Sequence, residues 1–309
     1  MNKPKRHHYL PQFYLESFCR NGGFWVFDRQ VNEYRQQTPK NTALQKNYYS
    51  FEVEDGSTDT RIETLLAVVE GHGKQAISKL IDRKSLSKEE KEELSLFVAL
   101  MMNRVPDFEN SVNKLQEHVI RKMADMMFSD EKRAQAVMDQ YSKDTGKESK
   151  GTAKDLVDFY KSGEFEIVVH RNQSLFLMLT LSNDLANLFR QMNWIVLHAP
   201  DKTSFVTTDN PVILLPPKGY KPNFYGFGLI TKGARKIFPL SANTCLFMLD
   251  HGDRLIHRDF DRDTVRAVNL NLTTQSDRFL IGRDEALVRN LVETTKLDKR
   301  KREGRFRIS

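Results

Sequence analysis

The spacing of apolar and polar residues alternates at the start of the chain, becomes helical in the middle and shortens again towards the end. Gly22-Gly23 reads as a turn before the aromatic run Phe24-Trp25-Val26-Phe27-Asp28, and Val31 to Arg35 follows closely enough to pair with it as a hairpin. Residues 41 to 53, with Tyr48, Tyr49 and Phe51, close this first layer. From Asp59 the period changes: Ile62, Leu65, Leu66, Val69, Ala76, Ile77 and Leu80 predict an amphipathic helix over about 59 to 82. Gly71 and Gly73 weaken that helix and imply a bend or a close neighbour. Ser87 and Glu90 have the spacing of a capping box, and the helix they open runs into the apolar stretch 94 to 102 before Pro106 is expected to end it. A helix that is apolar all round belongs in the interior, so this one is predicted to be central.

Further helices are predicted over about 110 to 128, 130 to 141, 153 to 161 and 172 to 192, with Met123 and Met126 read as adaptable core and the polar segment 142 to 152 as a loop. Beyond Asn193 the apolar runs are short: 194 to 198, 204 to 207, 212 to 215, 228 to 231, 236 to 238 and 245 to 249. The Asp, Asn, Pro and Gly residues between them favour antiparallel hairpins. Helices near 261 to 276 and 284 to 294 flank a strand at 278 to 282. The class expected is α+β, a mostly antiparallel sheet formed by N- and C-terminal segments around a helical middle region. The segments run 1–58 (N-terminal motif and strands), 59–192 (helical), 193–295 (β-rich with closing helices) and 296–309 (basic tail), and a two-domain split near 192 is the alternative.

Composition narrows the class. With 39% apolar and 10% aromatic residues over 309 positions the chain can bury a sizeable core. Its longest apolar run is far short of the roughly 20 residues that cross a bilayer, so no membrane partner is expected. Lys3, Lys5 and Arg6 imitate the start of a signal peptide, but Gln12, Glu16 and Arg20 interrupt the apolar region it would need, and a cytoplasmic protein is expected. Cys19 and Cys245 have no zinc or disulfide spacing and are read as ordinary buried thiols. The net charge of +7 is concentrated at the ends: the first ten residues carry +3 and residues 296 to 309 carry +5, which leaves the rest at −1. That pattern predicts a nucleic-acid-touching tail built on Lys299, Arg300, Lys301, Arg302, Arg305 and Arg307, or a solvated terminus without a partner.

The motif His7-His8-Tyr9-Leu10-Pro11-Gln12-Phe13-Tyr14-Leu15-Glu16-Ser17-Phe18 resembles the start of a bacterial family of uncharacterised proteins, domain of unknown function 4238. The likeness continues through Ile62-Glu63, Glu70, Asn103-Arg104-Val105-Pro106, Trp194, Phe205-Val206-Thr207-Thr208-Asp209-Asn210-Pro211-Val212, Phe238-Pro239-Leu240-Ser241 and Val265-Arg266 with Asn269. Thr208 stands where the family often has serine, which keeps the hydroxyl. The resemblance covers nearly the whole chain and brings no established activity with it.

Candidate chemistry therefore rests on the residues themselves. An extended backbone points His7 and His8 to opposite faces, so one of the two is expected to enter a site, as a metal ligand or general base, or to belong to a surface basic cluster. Glu63 and Glu70 lie seven residues apart, within about 20° of each other on a helix, at the margin of its apolar stripe. Two carboxylates there suit a divalent cation such as Mg or Mn, or are a solvated edge. Asp209 leaves its strand in a turn forced by Pro211, placed for catalysis or for binding its own turn amides. Arg104, at the end of the most buried helix, calls for a carboxylate partner such as Glu63 or Glu70, or a phosphate. No P-loop, dinucleotide fingerprint, HExxH, nucleophile elbow or paired CxxC is present. The leading expectation is a metal-dependent hydrolase of nucleic acid, nuclease-like, with Glu63, Glu70, Asp209 and one histidine on the metal and Arg104 and the tail on phosphates. The rival is a non-enzymatic nucleic-acid-binding or regulatory module in which the same residues form a structural polar network.

Overall fold

The computed structural model describes residues 6–46, 48–49, 51–52, 58–59, 61–168, 171–221 and 226–299. The chain opens with β1 (Arg6–His8) and a short α1 (Gln12–Glu16), followed by the hairpin β2 (Phe24–Asp28) and β3 (Glu33–Gln37). β4 (Leu44–Lys46) returns antiparallel to β1, setting His7 opposite Gln45. A two-residue pair, β5 (Phe51–Glu52) and β6 (Thr58–Asp59), precedes the helices α2 (Arg61–Ile81), α3 (Lys88–Asn103), α4 (Pro106–Met127), α5 (Glu131–Thr145), α6 (Ala153–Ser162) and α7 (Arg171–Arg190). Strands β7 (Met192–His198), β8 (Thr207–Thr208), β9 (Ile213–Leu215), β10 (Arg235–Ser241), β11 (Thr244–His251) and β12 (Leu255–Asp259) lead to α8 (Arg262–Thr274), β13 (Phe279–Gly282) and α9 (Glu285–Thr295).

These strands form an α+β arrangement. A five-stranded sheet has the order β12-β7-β11-β10-β9, parallel only at β12–β7, and a four-stranded antiparallel sheet has the order β3-β2-β13-β8. N- and C-terminal segments thus meet in the second sheet, where Phe279 pairs with Asp28. Strand alternation then divides the core: Phe238 and Leu240 of β10 face the helical layer, while Ile237 faces a second cluster with Phe27, Leu280 and Val288. The first cluster runs from Tyr9 to Ile281 and crosses the expected segment boundaries near 58 and 192.

The buried helix is where its composition places it. Ser87 Oγ accepts from the Glu90 amide and the Glu90 carboxylate accepts from the Ser87 amide, closing the capping box that starts α3. Residues Phe97 to Asn103 are all buried, between α2 and α7. Pro106 does not end this helix; α3 stops at Asn103, and Pro106 begins α4, where its fixed φ and missing N–H suit the first turn. The close neighbour implied by the α2 glycines is real at one of them: a Cβ on Gly73 would lie 2.5 Å from the Phe97 ring, whereas Gly71 faces open space.

Four expectations change. Residues 228 to 231 form turns rather than a strand, and β12 is an edge strand that the pattern did not predict. Helix α5 continues through Thr145 to a left-handed cap at Gly146, shortening the loop. Met123 and Met126 are not core; Met126 is 61% exposed, because the C-terminal half of α4 runs past the main core. Among the described residues, no helix is long and apolar enough to cross a membrane.

Candidate functional site

The residues singled out from sequence fall into two clefts. Around the first, backbone hydrogen bonds fix the histidine tautomers. His7 Nδ1 accepts from the Tyr49 amide at 3.0 Å, which leaves the proton on Nε2, 3.2 Å from Glu63 Oε1. Its ring stacks on Tyr49 with centroids 5.7 Å apart. His8 is the opposite tautomer: Nδ1 lies 3.1 Å from the Thr42 carbonyl, which can only accept, so Nε2 takes a hydrogen bond from the Gln12 amide at 2.9 Å. Burial holds His8 below the usual imidazole range. Both histidines border one shallow cavity of about 350 Å³ with Glu63, Glu70 and Arg104, so the strand does not exclude one of them as expected.

Arg104 ties this cluster together. Only 2% exposed, it donates from Nη1 to Glu70 Oε1 at 2.7 Å, from Nε to the Tyr49 hydroxyl at 2.9 Å and from Nη2 to the His8 carbonyl at 2.9 Å. The break between α3 and α4 turns the guanidinium towards β1, where Glu70 at the margin of the α2 stripe meets it, while Glu63 meets His7 of β1. The carboxylate partner called for in the sequence is Glu70. Desolvation pushes the Tyr49 hydroxyl up to about 12, so it remains a neutral acceptor for Arg104.

A divalent cation does not fit this donor set. Glu70 is engaged by a guanidinium, Glu63 faces a ring N–H, and the lone pairs of His7 Nδ1 and His8 Nε2 already accept hydrogen bonds. Asp209 is not with them. Among the described residues no three His, Cys, Asp or Glu side chains form a metal-binding group. The structure thus sets apart the three carboxylates expected on a metal: Glu63 beside the His7 ring N–H and Glu70 on Arg104 in one cleft, and Asp209 in another.

Asp209 follows β8, where Thr208 Oγ1 accepts from the Asn210 amide and donates to the Asn210 carbonyl. The amides that Asp209 binds are not those of its own turn: Oδ1 accepts from Asp277 N at 3.1 Å and Oδ2 from Arg278 N at 2.7 Å. At 3% exposure, burial outweighs those bonds, the Asp277 charge adds to it, and the carboxyl keeps its proton up to about 7. It borders a cavity of about 420 Å³ with Tyr9, Arg6, Arg35 and Arg278.

Asp28 holds two of those arginines in place. Fully buried, it takes a fork from Arg278 (Nε to Oδ1 3.0 Å, Nη2 to Oδ2 2.8 Å) and a bond from Arg35 Nη2 at 2.7 Å. Burial alone would raise its carboxyl, but Arg278, the Gln30 amide and Arg35 hold it below the usual range. Among the described residues, no acceptor meets the buried Arg35 Nε. Sequence reasoning missed Asp28, Arg35 and Arg278; the one local signal was a charge at the end of the apolar strand Phe24–Asp28. Of the tail residues, Lys299 closes a terminal turn, while Arg300, Lys301, Arg302, Arg305 and Arg307 lie outside the described residues.

No curated protein and no solved structure matches the chain. A family described as "Protein of unknown function (DUF4238)" matches residues 6–286, and the chain belongs to that family.

Proposed function

We propose that the chain is a hydrolase acting on phosphoesters of nucleic acid, with its reaction centre in the arginine-lined cleft rather than at the α2 glutamates. One observation carries this reading: a buried carboxyl that holds its proton near neutrality shares a cleft with Arg6, Arg35 and Arg278. Guanidiniums suit phosphate because their donors are planar and paired, and the unaccepted Arg35 Nε is a donor that a phosphate oxygen would satisfy. Asp28 fixes Arg35 and Arg278 before a ligand arrives, which lowers the ordering cost of binding. A carboxyl near its titration point at pH 7 is suited to give a proton to a departing oxygen or take one from water. No step is assigned to a cation, and the His7–Glu63 and Glu70–Arg104 pairs position β1.

The test uses the intact protein with short DNA and RNA oligonucleotides. Arg35→Gln should weaken binding about tenfold, the value of one charge-assisted contact, and flatten its salt dependence. Asp209→Asn should retain binding and lose cleavage. Unchanged affinity in Arg35→Gln removes phosphate from this cleft. Binding without cleavage by the wild type leaves the rival reading, a nucleic-acid-binding module, which the mutual pairing of Glu63, His7, Glu70 and Arg104 favours.

A further inference from the structure

A third cavity lies at the other end of the helical layer. Lys236 shares the β10 face of Phe238 and Leu240, which packs against the apolar helices, and is only 1% exposed. Its Nζ donates to the Ala234 carbonyl at 3.1 Å, and among the described residues it has no ion pair. An ammonium in such a place costs desolvation that a methionine of similar size would not. Burial holds this amine below the usual lysine range, while the nearby Asp250 charge works the other way.

Lys236 and Asp250 line a cavity of about 410 Å³ together with Gln191, Thr231, Lys232 and His251, and its apolar walls are Leu188, Met192, Leu229 and Ile230. Ile230 is 82% exposed at its edge, an apolar side chain left in water. Asp250 anchors the facing loop, accepting from the Gly233 amide at 2.6 Å. Beside Lys236 an anionic head group would meet the nearby Asp250 carboxylate, whereas an uncharged carbonyl meets no such repulsion. The apolar walls ask for an apolar body behind that carbonyl.

We propose that this cavity is a binding site for an apolar aldehyde, held reversibly as an imine on Lys236. In this step the unprotonated Nζ attacks the carbonyl carbon, forming a C–N bond while the carbonyl electron pair moves to oxygen. A proton passes from nitrogen to that oxygen, with Asp250 available to carry it, and loss of one water completes the C=N bond. Nothing is oxidised or reduced, and hydrolysis returns amine and aldehyde. The site is independent of the arginine-lined cleft.

The experiment treats the intact protein with hexanal and sodium cyanoborohydride, which reduces an imine to a stable secondary amine, and maps the adduct by peptide mass spectrometry. One saturable adduct per chain is expected at Lys236, in preference to exposed lysines outside the cavity such as Lys84 and Lys88, and it should be lost in Lys236→Met. Adducts spread over exposed lysines with Lys236 unmodified in the folded wild type overturn the proposal, whether or not the variant folds.

Discussion

Exchanging Glu70 for Gln keeps the size of the side chain and removes the charge that faces Arg104. Among the described residues Arg104 pairs with no other carboxylate, so the variant leaves a guanidinium of 2% exposure without a counter-charge. Removing one partner of a fully buried pair costs about 3–5 kcal/mol. Glu70 is 27% exposed, which lets water replace part of the interaction. The Tyr49 hydroxyl and His8 carbonyl keep their bonds to Arg104, so about 2–3 kcal/mol is expected. At roughly 2.1 cal/mol/K of unfolding entropy per residue, that lowers Tm by about 3–5 °C for a chain of this length.

The assay is thermal unfolding of wild type, Glu70→Gln and the double variant Glu70→Gln/Arg104→Met, each with and without millimolar Mg²⁺ or Mn²⁺. The double variant should melt above the single one, because it removes the uncompensated charge. Neither cation should shift the wild type, since a ligand that binds only the native state raises Tm and this cluster offers none a site. A single variant that melts within about a degree of wild type would falsify the network reading. A cation-dependent rise in the wild type that disappears in Glu70→Gln would instead restore the metal site.

Asp209 should make stability depend on pH in an identifiable window. Its folded value of about 7 lies above the ordinary 3.8, so its contribution is complete below about pH 4 and is lost as pH rises towards 7. The loss is on the order of 4 kcal/mol at most, and Asp209→Asn, followed by urea unfolding at pH 4, 5.5 and 7, should show a flatter profile than wild type; parallel profiles would mean that the carboxyl is ionised throughout. Phe97→Ala should cost about 3–5 kcal/mol through the cavity it opens between α2 and α3, and a midpoint equal to wild type would contradict the buried position of that ring.

What the sequence revealed and what it hid follow from the range of the interactions involved. Helix α3 was legible because its capping box and apolar run are local, and α2 because its stripe repeats at helical spacing. The same logic explains the miss on α4: a stripe shows that a helix has an apolar side, not that anything covers it. Edge strand β12 carries His257, Arg258 and Asp259 among five residues, so its pattern is nearly indistinguishable from a loop. Gly73 was visible as an anomaly, but only the fold names Phe97 as its reason.

The same distinction runs through the site. A single arginine at the end of an apolar helix announces that it needs a partner, and the glutamates on the preceding helix were close enough in sequence to be named. The set formed by Asp28, Arg35 and Arg278 was hidden because one fork joins residues 250 positions apart. Grouping every unusual charge into one centre was therefore the error, and β1 shows why the two groups are nonetheless coupled. Arg6 borders both clefts, His7 and the His8 carbonyl are held by the first, and Tyr9 lines the second. Four consecutive residues thus carry the constraint from one cleft to the other, and loosening Arg104 should disturb the arginine-lined wall without touching any residue in it.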